Sequence, residues 1–244
     1  MLKEERQEKI LQILEEENYI TAVKLAKTLY ASLPTIRRDL NELARKELII
    51  RNHGGAKKID SGKIVMPFEF RKTINYKEKR KLCERACSLI KDNSLIFIDG
   101  STTTLQMTEY ISASRQITVV TNSILVSTIL TKKGVKNYLT GGEPQQNSMC
   151  YAGNFAENFI RQFNFNFAFF SCHGIDKNFN IVDTSLAETS LRRTLLTQTD
   201  KSVFLCDSSK FGATAPYNLT NLTELSLVIT DKTDLSTKNA IIVK

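Results

Sequence analysis

SLPTIRRDLNELARKEL, residues 32–48, reads as a helix with two unlike faces. Ser32 is a good N-cap, because its hydroxyl can accept from an unpaired N–H of the first turn. Pro34 falls in that turn, where a missing N–H costs little. Ile36, Leu40 and Leu43 recur at i, i+4 and i+7 and form one apolar face. At about 100° per residue, Pro34, Arg38, Asn41 and Arg45 fall opposite, with Thr35 and Arg37 on the flanks. One side is built for burial, and the other offers a hydroxyl, guanidinium groups and an amide near the N-terminal end.

That distribution suits entry into a DNA major groove, where a recognition helix turns its first residues to base edges and its apolar side to a supporting helix. An arginine there can take guanine O6 and N7 bidentately or clamp a phosphate. An amphipathic surface helix with two solvated arginines has the same periodicity, so the flanking sequence has to decide.

Upstream, Ile10, Leu11, Ile13 and Leu14 give a first helix an apolar stripe that ends at Asn18 and Tyr19. Thr21 can cap a short second helix in which Leu25, Ala26 and Leu29 face inward. Tyr30 and Ala31 then make a tight connection to Ser32, giving the order helix, short turn, helix. Downstream, Ile49 and Ile50 read as a strand, His53-Gly54-Gly55 as a turn and residues 56–59 as a returning strand. Such a wing carries Arg51, His53, Gly54, Gly55 and Lys57. Its glycines allow backbone to approach phosphate, and its cations neutralise it. His53 fits a neutral turn histidine as well as a phosphate contact, and His173 is assigned no role.

ERQEKILQIL (5–14), TIRRDLNEL (35–43) and RNHGGA (51–56) resemble the winged helix-turn-helix of the DeoR family of bacterial transcription regulators. The chain departs from the family pattern at Tyr30, where the turn usually has Gly, and at Ala31, where it usually has Val. The first change implies a more strained or wider turn, the second a slightly thinner core.

The charge pattern agrees with a polyanion partner. Residues 1–17 hold three basic and six acidic side chains, residues 18–58 nine and three, and residues 59–85 eight and four. Nearly all of the net charge of +8 thus lies around and just after the proposed DNA helix. No apolar run approaches the ~20 residues of a membrane span, and the charged N-terminus does not read as a signal peptide, so a cytoplasmic protein is expected. The five cysteines, Cys83, Cys87, Cys150, Cys172 and Cys206, lack metal-ligand spacing and read as buried free thiols in a reducing compartment. Neither metal nor cofactor is expected.

The expected organisation is a winged helix-turn-helix over residues 1–58, a linker over 59–75 and an α/β domain over 76–244. The linker has no clear period and touches down at Met66, Phe68 and Phe70. Beyond it, YKEKRKLCERACSLIK (76–91) resumes helical spacing, and Lys77, Lys79, Arg80 and Lys81 read as a solvated basic face. Short apolar runs at 94–99, 117–121, 135–140, 167–171, 202–207 and 225–230 read as buried strands. They alternate with helices at 104–111, 124–132, 154–162 and 187–199. Alternation of this kind predicts a mostly parallel sheet with helices on both faces and a ligand site beyond the carboxyl ends of the strands.

Polar loops collect at those ends. DGSTT (Asp99, Gly100, Ser101, Thr102, Thr103) has the composition of a phosphate cradle: a tight turn, hydroxyl donors and a following helix N-terminus. Lys210 can add a point charge to the same anion. Thr121-Asn122, Gly141-Gly142-Glu143, Gly174-Ile175-Asp176 and Asp207-Ser208-Ser209 end other strands, and Asp99 and Asp176 can accept from sugar hydroxyls. Such turns favour Gly, Ser, Thr and Asp anyway, so their number at one edge is what points to a small phosphorylated polyol.

FIDGSTT, VVTNS, LTGGE, GID, AET (187–189) and DSSKFG (207–212) are similar to the effector domain of the same family, whose fold resembles ribose-5-phosphate isomerase. The resemblance implies that Asp99, Ser101, Thr102, Thr103, Thr121, Asn122, Asp176, Glu188 and Lys210 surround a sugar phosphate that controls DNA binding. It implies a repressor of sugar-metabolism genes on double-stranded operator DNA. The alternative is an aldose–ketose isomerase with a DNA-binding appendage, Glu188, Asp99 and Asp176 supplying acid and base. GIDKNFNIVDTS lacks the acidic pair and Gly-rich lysine run of those isomerases, which favours the regulator. One helix-turn-helix makes few base contacts, so a homodimer or homotetramer is expected, held by the second domain.

Overall fold

Apolar spacing in the first fifty residues builds a small helical core that a three-stranded sheet closes. The computed structural model describes residues 1–17, 19–46, 48–52, 54–58, 68–145, 147–235 and 237–243, the side chains of residues 15, 16 and 58 excepted. The chain forms two units, Met1–Ile74 and Asn75–Lys244. Among the described residues no helix is long and apolar enough to cross a membrane.

The first unit runs α1 (Lys3–Glu17), β1 (Tyr19–Thr21), α2 (Ala22–Thr28), α3 (Leu33–Arg45), β2 (Ile49–Asn52), β3 (Gly55–Lys58) and α4 (Phe68–Thr73). Ile10, Leu14, Leu25, Ile36, Leu40 and Leu43 form its fully buried centre. Each such side chain stabilises the unit by about 1.5–3 kcal/mol relative to exposure. The helix read over 32–48 stops at Arg45, because Lys46 caps it and the Leu48 N–H reverses onto the Leu43 carbonyl. Leu48 is thereby buried.

The wing has a third strand that sequence reading missed. β3 lies between β1 and β2, antiparallel to both, with Ile20 opposite Ala56 and Arg51 opposite Ala56 on the other side. Gly55 is required there: a Cβ would lie 2.2 Å from the Ile20 carbonyl oxygen. The linker reading is corrected at its end. Residues 59–67, including Met66, lie outside the described residues, but Phe68–Thr73 is helical, and Phe70 packs on the first unit's core.

The second unit opens with α5 (Tyr76–Cys87) and β4 (Leu95–Ile98). A 3₁₀ segment, Thr104–Glu109, stands where an α-helix was expected, followed by β5 (Thr118–Thr121), α6 (Ile124–Lys132) and β6 (Asn137–Leu139). Next come β7 (Glu143–Gln145), β8 (Cys150–Ala152), α7 (Asn154–Ile160), β9 (Phe167–Phe170), β10 (Gly174–Ile175), β11 (Asn180–Asp183) and α8 (Leu186–Thr197). The chain ends with β12 (Ser202–Cys206), β13 (Tyr217–Asn221), β14 (Leu227–Thr230) and β15 (Ala240–Ile242).

Seven strands form one parallel sheet in the order β15-β14-β12-β9-β4-β5-β6. The six strands read from sequence are all in it, although β6 is a half-exposed edge rather than a buried strand. β15 and two antiparallel sheets, β7-β8 and β10-β11-β13, were not anticipated. α7 and α8 cover the face that bears Phe97, Val120 and Ala168. The chain steps outward from β4 through β5 to β6, then returns to lay β9 on the other side of β4. That reversal lies between β4 and β9, and open α/β sheets bind ligands beyond the carboxyl ends of the strands at such a point.

Candidate functional site

Two sites follow, one in each unit. On the first, the Ser32 Oγ accepts from the Thr35 N–H at 3.3 Å and lies 2.8 Å from the Thr35 hydroxyl, so α3 begins with a satisfied cap. Ser32, Pro34, Arg37, Arg38 and Asn41 are exposed along one side of α3, with Thr35 half-buried. Gly54 and Lys57 are exposed on the wing, and Arg51 is half-buried. His53 lies outside the described residues.

Arg51 also braces the unit. Its Nε donates to Asn41 Oδ1 at 3.1 Å, and its Nη1 donates to the carbonyls of Asn52 (2.9 Å) and Gly55 (2.7 Å). Wing and helix are therefore tied through the Arg51–Asn41 side-chain bond. Asp39, passed over in the sequence, is buried within α3 and takes both a 2.5 Å and a 3.3 Å bond from the Arg6 guanidinium of α1. That pair fixes the helix against its support, so the arginines beside it face outward.

The second site lies at the reversal between β4 and β9. Asp99, at the end of β4, is 1% exposed and fully engaged. Its Oδ1 accepts from the Ser101 N–H and Thr104 Oγ1, and its Oδ2 from the Ser171 N–H and from Arg192 Nε and Nη2 at 3.1 and 3.0 Å. Arg192 was not foreseen. It is buried in α8 and also bonds Asp183 (2.8 Å) and Glu188 (3.1 Å), while Ser148 donates to the other Glu188 oxygen at 2.6 Å. A guanidinium stays charged, and three carboxylates surround this one. The expectation that Asp99 offers a free acceptor is corrected: it organises the loop.

The loop itself is tightly held. Gly100 cannot carry a side chain, since a Cβ would come within 2.4 Å of the Cys150 Cβ. The Ser101 hydroxyl caps the Thr104 N–H. Thr102 accepts from Lys79 Nζ at 3.4 Å. Lys79 was read as part of a solvated cluster, but it is buried on α5. Lys79, Leu82, Cys83 and Ala86 share that buried face at helical spacing, a signal the basic run obscured. Thr103 is wholly buried, and its Oγ1 has no hydrogen-bond partner among the described residues.

From the other side of the reversal, Lys210 Nζ donates to Ser171 Oγ at 2.6 Å and to the Cys172 carbonyl at 2.8 Å. Burial pushes the Asp207 carboxyl up, but Lys210, the Ser209 hydroxyl, Lys79 and Asn75 hold it below the ordinary carboxylate range. Lys79 and Lys210 thus act on one carboxylate.

The remaining expected residues are placed as follows. Thr121 is buried and donates to the Ile98 carbonyl at 2.6 Å, stitching β5 to β4. Asn122 donates to the Tyr151 carbonyl, and its Oδ1 is buried without a partner among the described residues. Gly141 and Gly142 lie on the β6–β7 connection with positive φ, where a Cβ on Gly142 would meet the Ala152 oxygen at 2.6 Å. Asp176 lies on the β10–β11 hairpin. Its oxygens accept from the Asn178 and Asn180 N–H groups and the Asn180 amide. All five cysteines are buried free thiols. Burial pushes Cys87, Cys150 and Cys206 up to about 12.

The sequence of both units matches known families. Residues 6–62 match the DeoR-like helix-turn-helix domain, and residues 74–232 match the DeoR C terminal sensor domain. The L-fucose operon activator of Haemophilus influenzae is 34% identical over 228 residues, covering 93% of this chain and 91% of that protein. The glycerol-3-phosphate regulon repressor of Escherichia coli is 29% identical over 232 residues, covering 95% and 92%. Ribose 5-phosphate isomerase A of Methanocaldococcus jannaschii aligns over 56% of this chain and 55% of its own, with a TM-score of 0.42 and 12% identity. With a cationic reading helix in one unit and a matching sensor domain in the other, the chain belongs to the DeoR family of DNA-binding transcription regulators.

Proposed function

We propose that this regulator is a cytoplasmic repressor of sugar-metabolism genes, and that a phosphorylated sugar bound at the sheet reversal sets its grip on operator DNA. The observation that carries the reading is that Lys79, bonded to Thr102, and Lys210, bonded to Ser171, meet the loops that follow β4 and β9 and both act on Asp207. Two cations, hydroxyl-bearing Thr102 and Thr103 and the loop's backbone suit a phosphate. Thr103 Oγ1 and Asn122 Oδ1, buried without partners, supply a donor and an acceptor for it and for a sugar hydroxyl. Glu188 lines the polyol end, and Asp99 positions the loop through Arg192. Relatives named for an L-fucose operon and a glycerol-3-phosphate regulon support carbohydrate genes as targets.

Catalysis is not part of the proposal. A general base needs a carboxylate within reach of a substrate proton, whereas Asp99 and Glu188 are each bonded to Arg192 and Asp176 accepts from the Asn178 and Asn180 N–H groups and the Asn180 amide. Control is by linkage: an effector that prefers one arrangement of a homodimer or homotetramer shifts the population able to hold two half-sites. Ser32, Pro34, Thr35, Arg37, Arg38 and Asn41 of α3, with Arg51, His53, Gly54 and Lys57 of the wing, form the DNA side.

A thermal-shift panel of sugars with and without phosphate tests this, since a ligand of the folded state raises stability by RT ln(1 + [L]/Kd). The expected result is a rise with one phosphorylated sugar, absent with the same sugar unphosphorylated, and release of bound duplex by that compound alone. Equal shifts by the two forms overturn the anion site. Turnover of any panel member above background overturns the non-enzymatic reading. Sedimentation as a monomer at micromolar concentration overturns the assembly.

A further inference from the structure

α2 ends in a way that its sequence should not favour. Leu29 is the C-cap, and Tyr30 follows with φ 50°, in the left-handed region. The Ala31 N–H bonds to the Ala26 carbonyl at 3.0 Å and the Tyr30 N–H to the Lys27 carbonyl at 3.4 Å. This is the Schellman pattern, and its left-handed position is the one at which helices overwhelmingly place glycine, or asparagine. A bulky side chain there pays a steric penalty.

Packing does not offset that penalty. The Tyr30 side chain is 97% exposed, more than any other large apolar or aromatic residue among the described ones. Stability alone therefore argues against tyrosine at this position, and residues held in unfavourable backbone regions gather where function needs them. Tyr30 sits two positions before the Ser32 cap, at the end of α3 that presents Ser32, Pro34, Arg37 and Arg38 to solvent. An exposed phenol at the entrance of a reading helix has one suitable partner on a duplex edge, a phosphate oxygen. Tyrosine hydroxyls donate to such oxygens and so fix register without reading sequence.

We infer that Tyr30 is a DNA-backbone contact: its hydroxyl donates a hydrogen bond to a phosphate oxygen beside the groove that α3 enters. The inference rests on the chain's being a DNA-binding regulator. A neutral donor displaces no condensed counterion, so it adds affinity without steepening the salt dependence, unlike a lysine or arginine.

The test uses the full chain and a short random-sequence duplex at low salt, read by fluorescence anisotropy. Tyr30→Phe removes only the hydroxyl. Tyr30→Asn removes the ring and keeps a residue that accepts the left-handed backbone. Both variants should bind at least roughly tenfold more weakly, as expected for a lost bond to a charged acceptor. The slope of log K against log salt should not change, and Tm should be equal to the parent's in Phe and equal or higher in Asn. Parental affinity in Tyr30→Phe overturns the proposal even if Tyr30→Asn is weakened. So does a flattened salt slope, which would mean that the variants had lost cationic contacts. A parent protein that ignores the duplex would instead overturn the DNA-binding reading, and this inference with it.

Discussion

Replacing Arg192 with methionine keeps much of the side-chain volume and deletes the charge that three carboxylates share. Asp99 Oδ2 loses two donors, and Asp183 Oδ2 and Glu188 Oε2 lose one each, from side chains only 1%, 9% and 13% exposed. Removing one partner of a buried ion pair costs about 3–5 kcal/mol. Asp99 meets that condition fully, and the two more exposed acids add less, so the lower bound is about 3 kcal/mol. A domain of this size loses roughly 2–4 °C of Tm per kcal/mol, which puts the fall at roughly 6–20 °C. Scanning calorimetry of both proteins at neutral pH reads the loss. A loss below about 1 kcal/mol would refute the claim that Arg192 holds these carboxylates together.

Three further outcomes are expected. Arg38→Ala should cost roughly 1–3 kcal/mol on a site selected with the parent protein and less on random duplex; equal losses on the two would reject base readout. Lys210→Ala should bind duplex normally yet ignore every phosphorylated sugar that releases the parent, and normal release would remove Lys210 from the effector site. Glu42 is drawn from its ordinary 4.5 to about 2 by Lys3 and then Lys46. Its folded value lies below the unfolded one, so its contribution is present above about pH 4.5 and vanishes as pH falls through about 2. Water screens this exposed group, which keeps the effect below about 1 kcal/mol. Urea titrations of Lys3→Ala should show a weaker acid-limb dependence than the parent, and identical limbs would count against the pairing.

Local chemistry was legible where neighbours in sequence are neighbours in space. The Ser32 cap, the Ile36–Leu40–Leu43 stripe and the strand-to-loop edges needed only helix and strand periods. Leu48 misled because it falls off that stripe: it is buried by a chain reversal rather than by another helical turn. Arg192 was invisible for a different reason. A charge on a helix is normally solvated, and what buries this one is Asp99, ninety-three positions away. The same distance effect turned Asp99 from an expected sugar acceptor into a loop anchor. Lys79 lay within reach, since it shares a face with Leu82, Cys83 and Ala86, but the surrounding basic residues drew the eye to charge rather than to period. β15, β10 and β7 are too short to carry a pattern.

The Arg51 brace has a mechanical corollary. One guanidinium joins an amide on the reading helix to two carbonyls of the hairpin beside it, so the pair behaves as a caliper with fixed jaws. A duplex whose grooves are too wide or too narrow must deform to fit, and the cost depends on the base steps being bent. Affinity is then expected to vary with base pairs that no side chain reaches, through the stiffness of the DNA between the jaws.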